Sequence, residues 1–329
     1  TPTSLELAAR IADLEGGEHC FLTPGGQAAI ALVNFAFVRS GGHMLLPESI
    51  YGPNRDLADR LLLRLGIETE YYDPLIGDGI RNLIRENTQL IWCESPGSVT
   101  MEVQDVPAIA AVARRAGVVT VLDNTYAAGV LCDAFALGVD VSMQALTKYI
   151  GGHSDLLLGS VTVRDPAHYQ ALGDAHQLLG MGVSPDDCSL ALRGLQTLAV
   201  RLKQLEESTL AVARWFAEQP EVETVLHPAL PSCPGHEIWK RDFTGSTSVF
   251  SVVFTPDITP DSLVRFIDSL RLFKIGYSWG GVTSLAIPHF TVKRNIRSYG
   301  NRLVRFNIGL EELGDLIADL EQGFTVFRS

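Results

Sequence analysis

The sequence predicts an α/β fold, a mostly parallel sheet flanked by helices and followed by a smaller C-terminal α+β domain. Short apolar runs at residues 43–46, 67–72, 89–93 and 118–122 alternate with helical stretches, as in a parallel sheet covered on both faces. After about residue 189 the alternation gives way to a long helical pattern and then to a mixed order of strands and helices. The 329 residues are 46% hydrophobic, enough to build two cores.

In chain order, residues 1–17 read as a polar helix and 26–38 as an apolar one. A strand at 43–46 is followed by a helix at about 54–65, a strand at 67–72 and a short helical piece at 80–85. Then come a strand at 89–93, a helix at 106–116, and strands at 118–122, 140–146 and 156–163. Leu190, Leu195, Leu198, Leu202 and Leu205 recur at helical spacing, so 189–219 reads as one long helix. The junction falls near Arg193-Gly194, which divides the chain into residues 1–194 and 195–329. The second part carries strands at 222–226, 248–254 and 303–308, with helices near 260–270 and 310–324.

Net charge is −12 and no Lys/Arg-rich run occurs, which argues against nucleic acid or an anionic membrane as partner. The longest apolar stretch, 28–38, is interrupted by Asn34 and is too short to span a bilayer; residues 1–17 lack the apolar core of a signal peptide. Cys20, Cys93, Cys132, Cys188 and Cys233 are scattered without a Cys-x-x-Cys pair, so neither a disulfide framework nor a metal site is expected. A cytoplasmic protein with reduced thiols fits this pattern.

Ligands in open parallel sheets bind beyond the carboxyl ends of the strands. Tyr51, Glu94, Asp123 and Lys148 each follow a strand-like run. A lysine that could form a Schiff base and, twenty-five residues before it, an aspartate that could pair with a pyridinium nitrogen are the two groups that pyridoxal phosphate chemistry requires. Pro24-Gly25-Gly26-Gln27 opens an apolar helix, where uncovered N–H groups suit a phosphate. No Gly-x-Gly-x-x-Gly or Walker sequence is present. Arg305 sits in an otherwise apolar run, 303–308; it fits a substrate carboxylate, but a structural ion pair or a water-facing edge position explains it equally well. Gly276-Tyr-Ser278-Trp-Gly280 matches the nucleophile elbow of a serine hydrolase, yet the following Gly281-Val-Thr-Ser is a poor helix start, and no acid stands between it and His289.

Glu94-Ser-Pro-Gly-Ser98, Thr100-Met-Glu-Val103, Asp123-Asn-Thr125, Thr147-Lys-Tyr149, Gly152-His-Ser-Asp155, the 236–245 stretch and Tyr277-Ser-Trp-Gly-Gly281 together resemble the Cys/Met-metabolism family of pyridoxal phosphate enzymes over nearly the whole chain. The resemblance implies the aspartate aminotransferase-like fold (fold type I) and a homotetramer of close dimers whose active sites are shared between subunits. It implies pyridoxal phosphate held covalently by Lys148, with Asp123 on the ring nitrogen and Tyr51 stacked on the ring. Gly26, Gln27 and the Thr147 hydroxyl would hold the phosphate, and Arg305, Ser278 and Trp279 would receive a small amino-acid substrate, with Lys148 and Tyr51 as the proton carriers.

Relatives that cleave at the γ position commonly carry Asn at Ser98 and Leu at Trp279, so the likeness favours a carbon–sulfur lyase acting by β-elimination on L-cystathionine, with γ-lyase and γ-synthase as alternatives. Ala145 and Gly25 stand where relatives often have serine, and Val282-Thr283 where some have Tyr-Glu. The family also has an upstream arm with a Tyr-x-Arg pair that reaches a neighbour's site, and Thr1 is expected to lie downstream of it. A non-catalytic relative and a Ser278 hydrolase are the rival classes.

Overall fold

The computed structural model describes residues 1–292 and 294–328. The elements in chain order are α1 (Pro2–Leu14), β1 (His19–Thr23), α2 (Gly26–Phe37), β2 (His43–Pro47), α3 (Gly52–Leu57), β3 (Glu68–Tyr72), β4 (Thr88–Glu94), α4 (Val106–Ala116), β5 (Val119–Asp123), β6 (Val141–Gln144) and β7 (Gly159–Val163). They continue with α5 (Pro166–Leu178), α6 (Pro185–Leu195), α7 (Leu198–Ala217), β8 (Val222–Leu226), α8 (His236–Asp242), β9 (Val249–Phe254), α9 (Pro260–Ser269), β10 (Lys274–Ile275), β11 (Leu285–Pro288), β12 (Leu303–Asn307) and α10 (Leu313–Phe324).

The first sheet has seven strands in the order β1-β7-β6-β5-β4-β2-β3. Strands β3, β2, β4, β5 and β6 run parallel, whereas β7 pairs antiparallel with both β6 and β1. Both faces are covered, and the period-2 geometry of a strand divides its side chains between them. Met44, Leu46, Leu90, Trp92 and Val121 join the core under α2, while Leu45, Ile91, Cys93 and Leu122 join the opposite core under α4. Every one of these nine side chains is fully buried, which is why the strands read as unbroken apolar runs.

The second sheet has five strands in the order β10-β11-β12-β9-β8, with a core built on α7, α9 and α10. Helix α7 serves both cores. Its Leu198, Leu202 and Leu205 pack with α1, Tyr149 and Ile150, and its Val212, Ala213 and Phe216 pack with the second sheet.

The single helix expected at 189–219 is two helices with a break at Gln196-Thr197. Arg201 explains the break: its guanidinium donates to Gly194 O (2.8 Å) and Tyr149 O (2.7 Å), and its Nε to Thr197 Oγ1 (3.0 Å), which turns the chain around the 145–152 loop. Gly194 lies so close to that loop that a Cβ there would stand 2.1 Å from Ile150 O and 2.6 Å from Gly151 O. Gly194→Ala is therefore expected to cost about 1–3 kcal/mol of stability through forced backbone movement. Urea unfolding monitored by circular dichroism measures it, and an unchanged midpoint would contradict the packing.

Other differences are local. The stretch after α3 is a π turn (Ala58–Leu62) and a closing 3-10 turn rather than a uniform helix, and the piece expected at 80–85 is a 3-10 segment at Gly77–Asn82. Strand β6 ends at Gln144, not 146, and Asp123 is the last residue of β5 rather than the first beyond it. No helix of the described residues is long and apolar enough to cross a membrane.

Candidate active site

The parallel register places the strand ends side by side. Glu94 on β4 is level with Asp123 on β5, and Asp123 is level with Met143 on β6. The chain then turns through 145–151, carrying Lys148 back over the same rim. A cavity of about 460 Å³ opens there, walled by Gly25, Gly26, Gln27, Tyr51, Glu94, Ser98, Asp123, Thr125, Ala145, Thr147, Lys148, Trp279 and Arg305. Of the residues singled out from the sequence, only Ser278 is not part of this wall, and it is in direct contact with Lys148.

Lys148 Nζ donates to Ser278 Oγ at 3.0 Å and lies 5.1 Å from the centre of the Trp279 ring. No carboxylate forms an ion pair with it among the described residues. Burial, reinforced by the Arg305 cation and opposed by Asp123, lowers its pKa from 10.5 to about 8. The free amine, the nucleophilic form, thus persists to lower pH than in an ordinary lysine. In the cofactor-free protein the rate of acetylation at Lys148, mapped by peptide mass, should rise with a midpoint near 8. A midpoint near 10.5 would contradict the environment described.

Asp123 Oδ1 accepts the Thr125 N–H at 3.0 Å, and the Thr125 side chain is a second hydrogen-bonding neighbour of the carboxylate. Burial raises its pKa, opposed by the Thr125 hydrogen bonds and by Lys148. A carboxylate on a cavity wall stabilises a cationic partner placed there.

Helix α2 starts at the opposite end of the wall. Gly25 provides no side-chain cap, so the first-turn N–H groups remain available. A Cβ on Gly26 would stand 2.7 Å from Ala145 Cβ, so the glycine is what lets this turn approach the 145–148 loop; at Gly25 the space is open. A helix start without a side-chain cap, a buried carboxylate and an amine of lowered pKa around one cavity fit a phosphorylated pyridine aldehyde.

Arg305 lies on β12 between Ile287 of β11 and Ser251 of β9, so it is not the water-facing edge residue that was one option from sequence. Nor is it in an ion pair: it donates to Tyr277 O (2.6 Å) and Ser278 O (3.3 Å) and, although 9% exposed, meets no carboxylate of the described residues. Burial lowers its pKa to about 10, so it stays charged at neutral pH. Two positions along, Asn307 accepts the Gly280 N–H at 2.9 Å. One face of β12 therefore holds the 277–280 segment, and with it Ser278 and Trp279, against Lys148.

Thr147 lines the cavity, and its hydroxyl donates to Leu158 O and accepts from Leu158 N, both at 3.1 Å. Thr125, given no role from sequence, accepts the Ala145 N–H at 2.9 Å and stands on the cavity wall where Ala145 offers no hydroxyl. Its signal was present in Asp123-Asn-Thr125, but only the fold brings residues 125 and 145 together. The elbow does not form: no helix follows Ser278, and its hydroxyl meets Lys148 rather than a histidine.

A seven-stranded, mostly parallel sheet with this rim and a smaller second sheet defines a fold type I pyridoxal phosphate enzyme. The profile described as "Cys/Met metabolism PLP-dependent enzyme" matches residues 1–325, and the chain belongs to that family. It is 45% identical to a putative cystathionine beta-lyase of Rhizobium johnstonii over 98% of this chain and 83% of that protein. It is 44% identical to cystathionine beta-lyase MetC of Escherichia coli over 98% of this chain and 84% of that one. The crystal structure of metB from Corynebacterium glutamicum superposes with a TM-score of 0.94 at 31% identity, covering 99% of this chain and 86% of that chain.

Proposed function

We propose that the protein is a cystathionine β-lyase that converts L-cystathionine and water to homocysteine, pyruvate and ammonia. The observation that carries the proposal is the meeting of Lys148, Asp123 and an ion-pair-free Arg305 around one cavity, in a chain whose relatives at 44–45% identity bear that name. When bound, pyridoxal phosphate supplies an electron sink for the negative charge that develops at the substrate Cα. Lys148 would hold it and Asp123 would keep its ring nitrogen cationic, with Tyr51 toward its ring and Gly26, Gln27 and Thr147 toward its phosphate, Thr125 being a further hydroxyl on that wall.

The Arg305 guanidinium takes the α-carboxylate in a two-point contact and sets the Cα–H bond toward Lys148. Tyr51 or Lys148 accepts the substrate ammonium proton. Lys148 Nζ, which sheds its proton at lower pH than an ordinary lysine because burial brings its pKa to about 8, removes the Cα proton and returns a proton to the departing homocysteine sulfur. Ser278 holds Nζ in place for both transfers, and Trp279 closes the wall beside it. A cytoplasmic homotetramer of close dimers, with each site shared between subunits, is part of the same proposal and is supported by the family resemblance.

The test is to incubate the holoenzyme with L-cystathionine and quantify both 2-oxo acids. Pyruvate with homocysteine is expected; a dominant 2-oxobutyrate signal with cysteine would replace β-cleavage by γ-cleavage.

A further inference from the structure

Glu94 is a buried carboxyl group for which the steps above have no use. It is 8% exposed and ends β4 level with Asp123. Its Oε2 accepts the Tyr51 N–H at 2.6 Å and its Oε1 accepts the Ser98 O–H at 2.5 Å. Its own N–H donates to Gln104 Oε1 at 2.7 Å, which fixes the residue from behind. The two groups it grips belong to separate loops that are further joined by Ser98 N–H to Ser49 O at 2.9 Å. Arg294 donates to Ser98 O at 2.7 Å and so adds a further tie to the same turn. Both Tyr51 and Ser98 stand on the cavity wall.

Resting on the site proposed above, we infer that Glu94 is a positioning residue: its side chain spans Tyr51 and Ser98 and fixes where both face the reacting groups. A two-bond bridge of this kind demands length and two polar atoms at one end. Aspartate is one methylene too short, and alanine removes both bonds. Burial, with Asp123 beside it and opposed by Ser98, Tyr51 and Arg294, pushes the Glu94 carboxyl up to about 8. A neutral side chain therefore suits the site, and glutamine can accept from Tyr51 N–H while donating to Ser98 Oγ.

The experiment compares holoenzyme forms of the wild type, E94A, E94Q, S98A and E94A/S98A by kcat, KM, thermal midpoint and visible circular dichroism of the cofactor band. For E94A, kcat is expected to fall about 10-fold to 100-fold with a weakened dichroic band, the thermal midpoint showing that the fold is retained. E94Q is expected to recover most of both losses, and the double variant to be no worse than E94A because the two residues act as one unit. Wild-type kcat and dichroism in E94A, a defect in E94Q equal to that of E94A, or additive losses in the double variant would each overturn the inference. If E94A does not fold, S98A decides: a smaller loss of the same kind supports it, and wild-type behaviour overturns it. A wild type without a visible band would defeat the cofactor reading itself, a different failure from a wild-type-like E94A.

Discussion

Replacing Lys148 with alanine is expected to cut pyruvate formation by at least about 10³-fold while leaving the fold intact. The large effect follows from the number of tasks given to one nitrogen: it holds the coenzyme, takes the Cα proton and returns a proton to the leaving sulfur. Among the described residues no other lysine or histidine forms part of the cavity wall. Stability should not suffer, because Lys148 has no ion pair among the described residues and is already penalised by burial. Single-turnover and steady-state assays of K148A, with a thermal melt as control, measure both halves. Retention of more than a tenth of the wild-type rate would remove Lys148 from the mechanism.

The second large effect is expected at Asp123→Asn, with kcat lowered about 10²-fold to 10³-fold. Asparagine keeps the shape and still accepts the Thr125 N–H, so the substitution isolates charge from packing. Without the Asp123 carboxylate, the negative charge offered to a cationic ring nitrogen is lost. The substitution also has an effect that needs no substrate. Asp123 raises the Lys148 pKa, so its neutralisation must lower it further, below about 8. The acetylation midpoint of Lys148 in cofactor-free D123N should thus move to lower pH; movement upward would contradict the proximity of the two groups.

Much of the site was legible because it lies where local pattern is strong. Strands β2, β4 and β5 are buried on both faces and stand out as apolar runs, and the residues that end or follow them converge through parallel register. Gly25-Gly26 before the apolar α2 marked the uncapped helix start on the cavity wall. What escaped depends on partners distant in the chain. Strand β1 is half-buried His-Cys-Phe-Leu-Thr and carries no clear alternation. The reversed direction of β7 follows only from its pairing with β6 and β1. The α6–α7 break is imposed by Arg201 reaching Tyr149 and Gly194, not by proline. Likewise, the interior place of Arg305 shows only once β12 is seen between β11 and β9, and the contacts of Thr125 and Glu94 run across 20 and 43 residues.

The most direct test reduces the holoenzyme with borohydride, digests it and sequences the tagged peptide by mass spectrometry. Loss of the visible absorption band together with a pyridoxyl adduct on Lys148 alone is the expected result. An adduct on any other lysine, or no adduct in an active preparation, would contradict the account at its centre.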